Sequence, residues 1–171
     1  MAEPTFIEKL VTSEIAGKNA AIHAYDGMIW KVRSGFLTLI FAGWSLIIKT
    51  AIENNSDIIV ILPYVFILSA FSLALAIGGY KIDKNYIKRK FRIINGLNEL
   101  TQLAATIDIN AKNERQNEMI EHLKILGDAA NDKYKSKAYE NELLVSKIIY
   151  VTPSILILGM IIYYQIKFIE R

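Results

Sequence analysis

The sequence predicts an all-α integral membrane protein with a transmembrane helical hairpin, a third span and a cytosolic antiparallel helical hairpin. Residues 34–48 and 58–80 carry no charged side chain, and a short polar stretch, residues 49–57, separates them. A third uncharged run covers residues 148–166. Uncharged apolar runs of about 20 residues are typical of helices that cross a hydrocarbon core about 30 Å thick. The sequence contains no pattern typical of a β-strand.

The two uncharged runs of the hairpin differ in length. At about 1.5 Å of rise per residue, residues 58–80 span roughly 34 Å as a helix, which is enough to cross the core. Residues 34–48 span only about 22 Å by the same rule. We therefore expect the first helix to continue to Ile52, with the Lys49 ammonium snorkelling to the interface.

Basic residues predict the sidedness of the hairpin. Lys31 and Arg33 precede the first span, whereas the turn holds Lys49 against Glu53 and Asp57. The residues that follow the second span include Lys81, Lys84, Lys88, Arg89, Lys90 and Arg92. Cytoplasmic segments carry the excess of lysine and arginine, so the turn is expected outside and the N-terminus in the cytoplasm. The predicted location is the inner membrane. The positive-inside topology accounts for the net charge of +3, so no nucleic-acid partner is expected.

The flanking charges give the weakest support for a membrane span in the third run, residues 148–166. As a span it would leave Lys167 and Arg171 outside, a mild exception because so short a tail is easily translocated. The alternative is that residues 148–166 lie in the interface or are buried by other subunits. The predicted segments are a juxtamembrane amphipathic helix (1–33), the two-span hairpin (34–80), the cytosolic hairpin (81–146) and the third transmembrane helix with its tail (147–171).

The cytosolic segment is expected to be helical. A narrow apolar stripe with coiled-coil-like spacing, typical of a helix that packs against a partner helix, comprises Ile93, Leu97, Leu100, Ala104 and Ile107. Asp108 and Asn110 are expected to break this helix, a second helix would end near Gly127, and Asp132 would cap a third. At the N-terminus, Gly17 and Gly27 weaken the first helix, so we expect two short helices or a bent one on the membrane surface.

Small residues line the second span. Ala70, Ala74 and Gly78 recur at intervals of four, with Ser72 and Ala76 beside them. Small side chains on one face let two helix backbones approach closely in lipid. This pattern favours a close helix contact, inside the hairpin or between subunits, over the alternative that alanine is merely common in membrane helices.

A polar stripe precedes the first span. His23, Asp26, Trp30 and Arg33 share one face of a helix. One interpretation is an interfacial anchor, with the aromatic ring at the headgroup level and the cation on lipid phosphates. The other is a contact network from His23 to Asp26 to Arg33 that fixes the N-terminal helix against the cytosolic helices as a latch.

No catalytic constellation is recognisable. Phosphate-binding, metalloprotease and nucleophile-elbow motifs are absent from the sequence, and there is no cysteine. His122 is expected on a solvated helix face rather than as a metal ligand. The uncharged runs contain no carboxylate, which disfavours an ion-coupled transporter. We therefore predict no enzyme, no catalytic residue, no metal and no cofactor.

The order of a basic and aromatic N-terminal helix, a tight two-span hairpin and a long cytosolic helix resembles the SLATT family of small bacterial membrane effectors. The resemblance covers residues 20–107, including the segment from His23 to Phe36, the hairpin through Gly79 and the helix from Lys81 onward. It implies an effector of antiviral or conflict systems that oligomerises and permeabilises the inner membrane when a cytosolic sensor is triggered. The third span departs from the two-span pattern and would fit a divergent accessory subunit.

Three functions are compatible with these sequence features. The first is a homo-oligomeric effector that forms a pore or perturbs the membrane. The second is a non-conducting scaffold or sensor subunit that recruits a soluble partner through the cytosolic helices. The third, an intramembrane or lipid-modifying enzyme, would need a catalytic group such as His23 or Asp26 at the interface. The expected partners are the lipid bilayer, further copies of the chain and a cytosolic protein.

Overall fold

A computed structural model of the chain describes residues 6–53, 58–106 and 135–169. Every described residue except Lys135 and Ser136 is helical, so the prediction of an all-α protein is confirmed for these ranges. The three helices are α1 (Phe6–Glu53), α2 (Ile58–Thr106) and α3 (Lys137–Ile169). The predicted helix breakers Asp108 and Asn110, the helix ending near Gly127 and the position of His122 lie outside the described residues.

All three helices are long and apolar enough to cross a membrane. The qualifying stretches are Lys9–Thr50, Ile61–Thr101 and Lys137–Met160, and only 17% of the most apolar window in each is buried within the chain. Large apolar side chains such as Leu46, Ile67 and Leu156 therefore lie on the outside, at 66%, 69% and 63% exposure. So much apolar surface on one chain is typical of helices that face lipid.

The N-terminal segment and the first span form one continuous helix. The expectation of two short helices is wrong, because α1 passes through Gly17 and Gly27 without interruption and ends at Glu53. Each glycine costs about 1 kcal/mol relative to alanine in a helix, which burial of apolar side chains offsets. Val11 and Ile29 supply such burial, at 7% and 4% exposure.

The start of α3 is fixed by a serine cap. The Ser136 Oγ accepts a hydrogen bond from the Tyr139 backbone N–H at 3.2 Å, and the Ser136 carbonyl accepts one from the Glu140 N–H at 3.0 Å. Side-chain oxygens at this position satisfy one of the N–H groups that have no partner within the helix. The expectation that Asp132 caps this helix is therefore wrong, although Asp132 itself lies outside the described residues.

Contacts divide the chain into two compact units. The first is drawn from Met1–Met28 and Asn85–Asn141, the second from Ile29–Lys84 and Glu142–Arg171. These divisions fall inside continuous helices, as do the boundaries at 33/34, 80/81 and 146/147 predicted from the charges.

The second unit has a compact apolar core to which all three helices contribute. Its buried members are Phe36, Ile40, Ala76, Tyr150 and Ile157. Val32, Leu37, Trp44, Leu75 and Tyr80 pack around them, partly buried. These apolar side chains therefore form the interior of this unit.

In the first unit, α2 buries a different set of residues from the predicted stripe. Leu100 is fully buried as predicted, but Ile93 and Leu97 are only partly buried. Ile87 and Phe91 are more deeply buried, and the Phe91 ring packs edge-on against Tyr139 with centroids 5.7 Å apart. Four of the five residues from 88 to 92 are basic, so in sequence this stretch resembles a solvated face. The side chain of Ala104 and all of Ile107 lie outside the described part of the chain.

Candidate functional site

A buried ion pair joins all three helices in the second unit. The Arg33 Nε donates a hydrogen bond to the Asp83 Oδ2 at 2.9 Å, and the Ser146 hydroxyl donates to the same oxygen at 2.6 Å. The Asp83 side chain has no exposure, Ser146 has none, and Arg33 has 9%. We call these three residues the Asp83 cluster.

The positions of these residues in the sequence explain why they meet. Arg33 immediately precedes the first uncharged run, Asp83 follows the second by three residues, and Ser146 precedes the third by two. The contacts between Arg33, Asp83 and Ser146 show that these three ends of the uncharged runs lie at the same level. The cluster therefore lies at one rim of the apolar segments, the rim at which basic residues accumulate.

The hydrogen bonds of the cluster are incomplete. Among the described residues, Asp83 Oδ1, Arg33 Nη2 and the Tyr150 hydroxyl are buried without a hydrogen-bond partner. Burying an ion pair is costly unless the remaining lone pairs and protons are satisfied, and an apolar replacement is often as stable. A charged cluster of this kind is therefore a candidate for a functional role rather than for a purely stabilising one.

An aromatic layer lies one helical turn from the cluster. Tyr150, one turn from Ser146, packs on Phe36 with ring centroids 4.7 Å apart and on Tyr80 with centroids 6.3 Å apart. Gly79, one turn from Asp83, permits this packing, because a Cβ atom there would lie 2.6 Å from the Tyr150 Cε1. The close approach of α2 and α3 therefore depends on a glycine opposite a buried tyrosine.

The predicted small-residue positions separate onto two faces of α2. Ser72 and Ala76 are buried within the chain, at 1% and 7% exposure. Ala70 and Ala74 are exposed, and a Cβ on Gly78 would meet nothing within 4 Å. Within the described ranges, Ala70, Ala74 and Gly78 therefore make no close contact inside the hairpin, and the expectation that they contact another subunit stays a prediction.

The polar stripe makes different contacts from the predicted network. In the first unit, the Asp26 Oδ1 accepts a hydrogen bond from the Lys90 Nζ at 2.8 Å. In the second, Arg33 binds Asp83. His23 is exposed and Trp30 is 70% exposed. The direct contacts from His23 to Asp26 to Arg33 are therefore wrong, because α2 supplies the partners of Asp26 and Arg33. The expected attachment of the N-terminal part of α1 to the helix that follows the second run is present, through Lys90.

Spacing could have revealed these partners. Asp26 and Arg33 lie two turns apart on α1, and Asp83 and Lys90 lie two turns apart on α2. Both pairs have the acid first along the chain, so an antiparallel neighbour places each carboxylate opposite a cation. Sequence reasoning misses Asp83 because this carboxylate lies three residues beyond the end of the second uncharged run. Ser146 carries no signal of its own in the sequence.

Within the described ranges, no group of three or more histidine, cysteine, aspartate or glutamate side chains is arranged to hold a metal ion. Comparison with protein-family models, curated proteins and solved structures finds no match.

Proposed function

We propose that the chain is a homo-oligomeric effector that forms a pore in the bacterial inner membrane or perturbs it, in antiviral or conflict defence. The observation that supports oligomerisation is the face of α2 formed by Ala70, Ala74 and Gly78, which the described part of the chain leaves uncovered. Helices associate in lipid where small side chains let their backbones approach closely. A second copy of the chain is the partner we propose for this face.

The proposed placement in the membrane puts the link between α1 and α2, residues 54–57, outside and the N-terminus in the cytoplasm. Lys81, Lys84 and the basic residues after them support this orientation through their number. The Asp83 cluster then lies at the cytoplasmic rim of the spans. Charged groups at this depth are expensive and are usually retained for function.

Any conducting path is proposed to form between chains. The centre of the second unit is occupied by the apolar core of Phe36, Ile40, Ala76, Tyr150 and Ile157, which favours a path between chains over one through this centre. Separating α1 from α2 and α3 would break the Arg33–Asp83 pair and hydrate both charges. The Asp83 cluster would thus hold the closed arrangement until a trigger moves the helices.

The apolar core also favours a second candidate function, a non-conducting scaffold or sensor subunit. In that case the first unit would recruit a soluble partner through its helices. Reconstitution of the purified chain into dye-loaded liposomes separates the two functions. We expect dye leakage that rises with the fraction of oligomer; an oligomeric protein that causes no leakage under any trigger would contradict the pore and leave the scaffold.

Substitution of Ala74→Leu is expected to weaken self-association by about 1–3 kcal/mol, because a larger side chain prevents close helix approach. The measurement is the mass distribution of the purified chain in detergent. Ala42→Leu is the matched control, since Ala42 is also exposed within an apolar span but belongs to α1. An unchanged mass distribution for Ala74→Leu would contradict the proposed interface.

A further inference from the structure

An apolar groove of about 510 Å³ lies between α2 and α3 of the second unit. Its walls include Leu73, Ile77 and Tyr80 from α2 and Val151, Ile155 and Lys147 from α3. This volume falls in the range of about 300–1,000 Å³ typical of small-molecule sites. The groove is thus large enough for a ligand and almost entirely apolar.

The one charged residue among the described residues that line the groove, Lys147, lies at one end of it. Lys147 is exposed, and it adjoins Ser146 of the Asp83 cluster in sequence. A second exposed cation, Lys84, lies one turn beyond Tyr80 on α2. The hydroxyl of Ser154, another lining residue, donates to the Tyr150 carbonyl at 3.1 Å. None of the described residues that line this groove is acidic, so its polar end is complementary to an anion.

We propose that this groove binds an anionic phospholipid, with one acyl chain between α2 and α3 and the phosphate on Lys147 and Lys84. The inference rests on the membrane placement proposed above. Under that placement the two lysines lie at the cytoplasmic rim, where the phosphates of the bilayer are found. Tyr80 is suited to the same level, because its ring is apolar and its hydroxyl can remain hydrated.

A second copy of the chain is a poorer occupant of the groove. A two-fold axis along the membrane normal would bring the same surface of both copies together. Lys147 and Lys84 of one copy would then approach the same lysines of the other, and like charges in contact disfavour such a dimer. A lipid phosphate instead neutralises both.

Native mass spectrometry of the full chain, with equimolar phosphatidylglycerol and phosphatidylcholine added, tests the role of charge. We expect phosphatidylglycerol to be retained preferentially. Lys147→Gln should reduce that preference about fivefold, the factor equivalent to about 1 kcal/mol for one basic residue near anionic lipid. Lys31→Gln, an exposed lysine of α1 outside the groove, should leave the preference unchanged. Equal losses in the two variants would overturn the proposal.

Filling the groove tests the acyl-chain site separately. Ile155 and Ile162 are both exposed on α3, at 60% and 56%, but only Ile155 lines the groove. Ile155→Trp should lower the number of lipids retained, whereas Ile162→Trp should not. Retained lipid together with a loss of oligomer in Ile155→Trp would identify the groove as a contact between chains and overturn the proposal.

Lipid retention is measured without reference to leakage, so failure of the lipid site and failure of the effector function are distinguishable. Carbonate extraction of membranes from cells that express each variant checks that the chain is inserted. A chain that is inserted and leaks dye but shows no lipid preference would contradict the lipid site alone.

Discussion

Replacement of Asp83 by alanine is expected to destabilise the chain by about 3–5 kcal/mol, the cost of removing one partner from a buried ion pair. The Arg33 guanidinium, 9% exposed, would keep its charge without the carboxylate that neutralises it. The Ser146 hydroxyl would lose its acceptor as well. One substitution thus affects side chains from all three helices.

Thermal or denaturant unfolding in detergent measures this effect. Asp26→Ala is the matched control, because Asp26 also pairs with a cation, Lys90 at 2.8 Å, but its side chain is 49% exposed. Exposed ion pairs contribute about 0–1 kcal/mol, so this variant should stay close to the parent chain. Comparable losses for Asp83→Ala and Asp26→Ala would show that burial does not set the strength of the Asp83 cluster.

A double substitution separates stability from switching. Arg33→Met with Asp83→Leu removes both charges but leaves the buried Ser146 hydroxyl without its acceptor, so its stability is expected to lie between that of Asp83→Ala and that of the parent chain. If the cluster holds the closed arrangement, this variant should remain folded and oligomeric but leak without a trigger. Normal triggered leakage from the double variant would contradict a switching role.

The sequence predicts the helices well because the uncharged runs reflect a strong physical constraint. A backbone in lipid must satisfy its own hydrogen bonds, so each long apolar run is a helix. The same reasoning does not locate the ends of helices. Helix α1 begins well before the first uncharged run, and α2 continues well past the second, which is why the boundaries at 33/34 and 80/81 are not helix ends.

The candidate site is harder to predict because it depends on which face of each helix meets a neighbour. Ala74 and Ala76 are equally small, yet one is exposed and the other buried. Helical periodicity groups residues into faces but does not say which face is internal. The polar stripe identifies Arg33 as a site residue. Its partner Asp83 can be identified only when the antiparallel register of α1 and α2 is known.

Substitution of Gly79→Ala is expected to destabilise the chain by about 1–3 kcal/mol, despite the higher helix propensity of alanine. The new Cβ would lie 2.6 Å from the Tyr150 Cε1. The ring has little freedom to move, because Tyr150 is 2% exposed and packs on Phe36 and Tyr80. The loss is measured by the same unfolding experiment.

The neighbouring glycine provides the control. A Cβ on Gly78 would meet nothing within 4 Å, so Gly78→Ala should be neutral or stabilise the chain by up to about 1 kcal/mol. Tyr150→Leu removes the ring atom that Gly79→Ala would contact, so the two substitutions together should cost less than the sum of their separate effects. Simple additivity would mean that Gly79 does not act through Tyr150, since residues in contact are expected to couple by about 0.5–3 kcal/mol. A close approach that depends on this one contact is the reason we expect the fold of α2 to need a glycine at residue 79 and to accept alanine at residue 78.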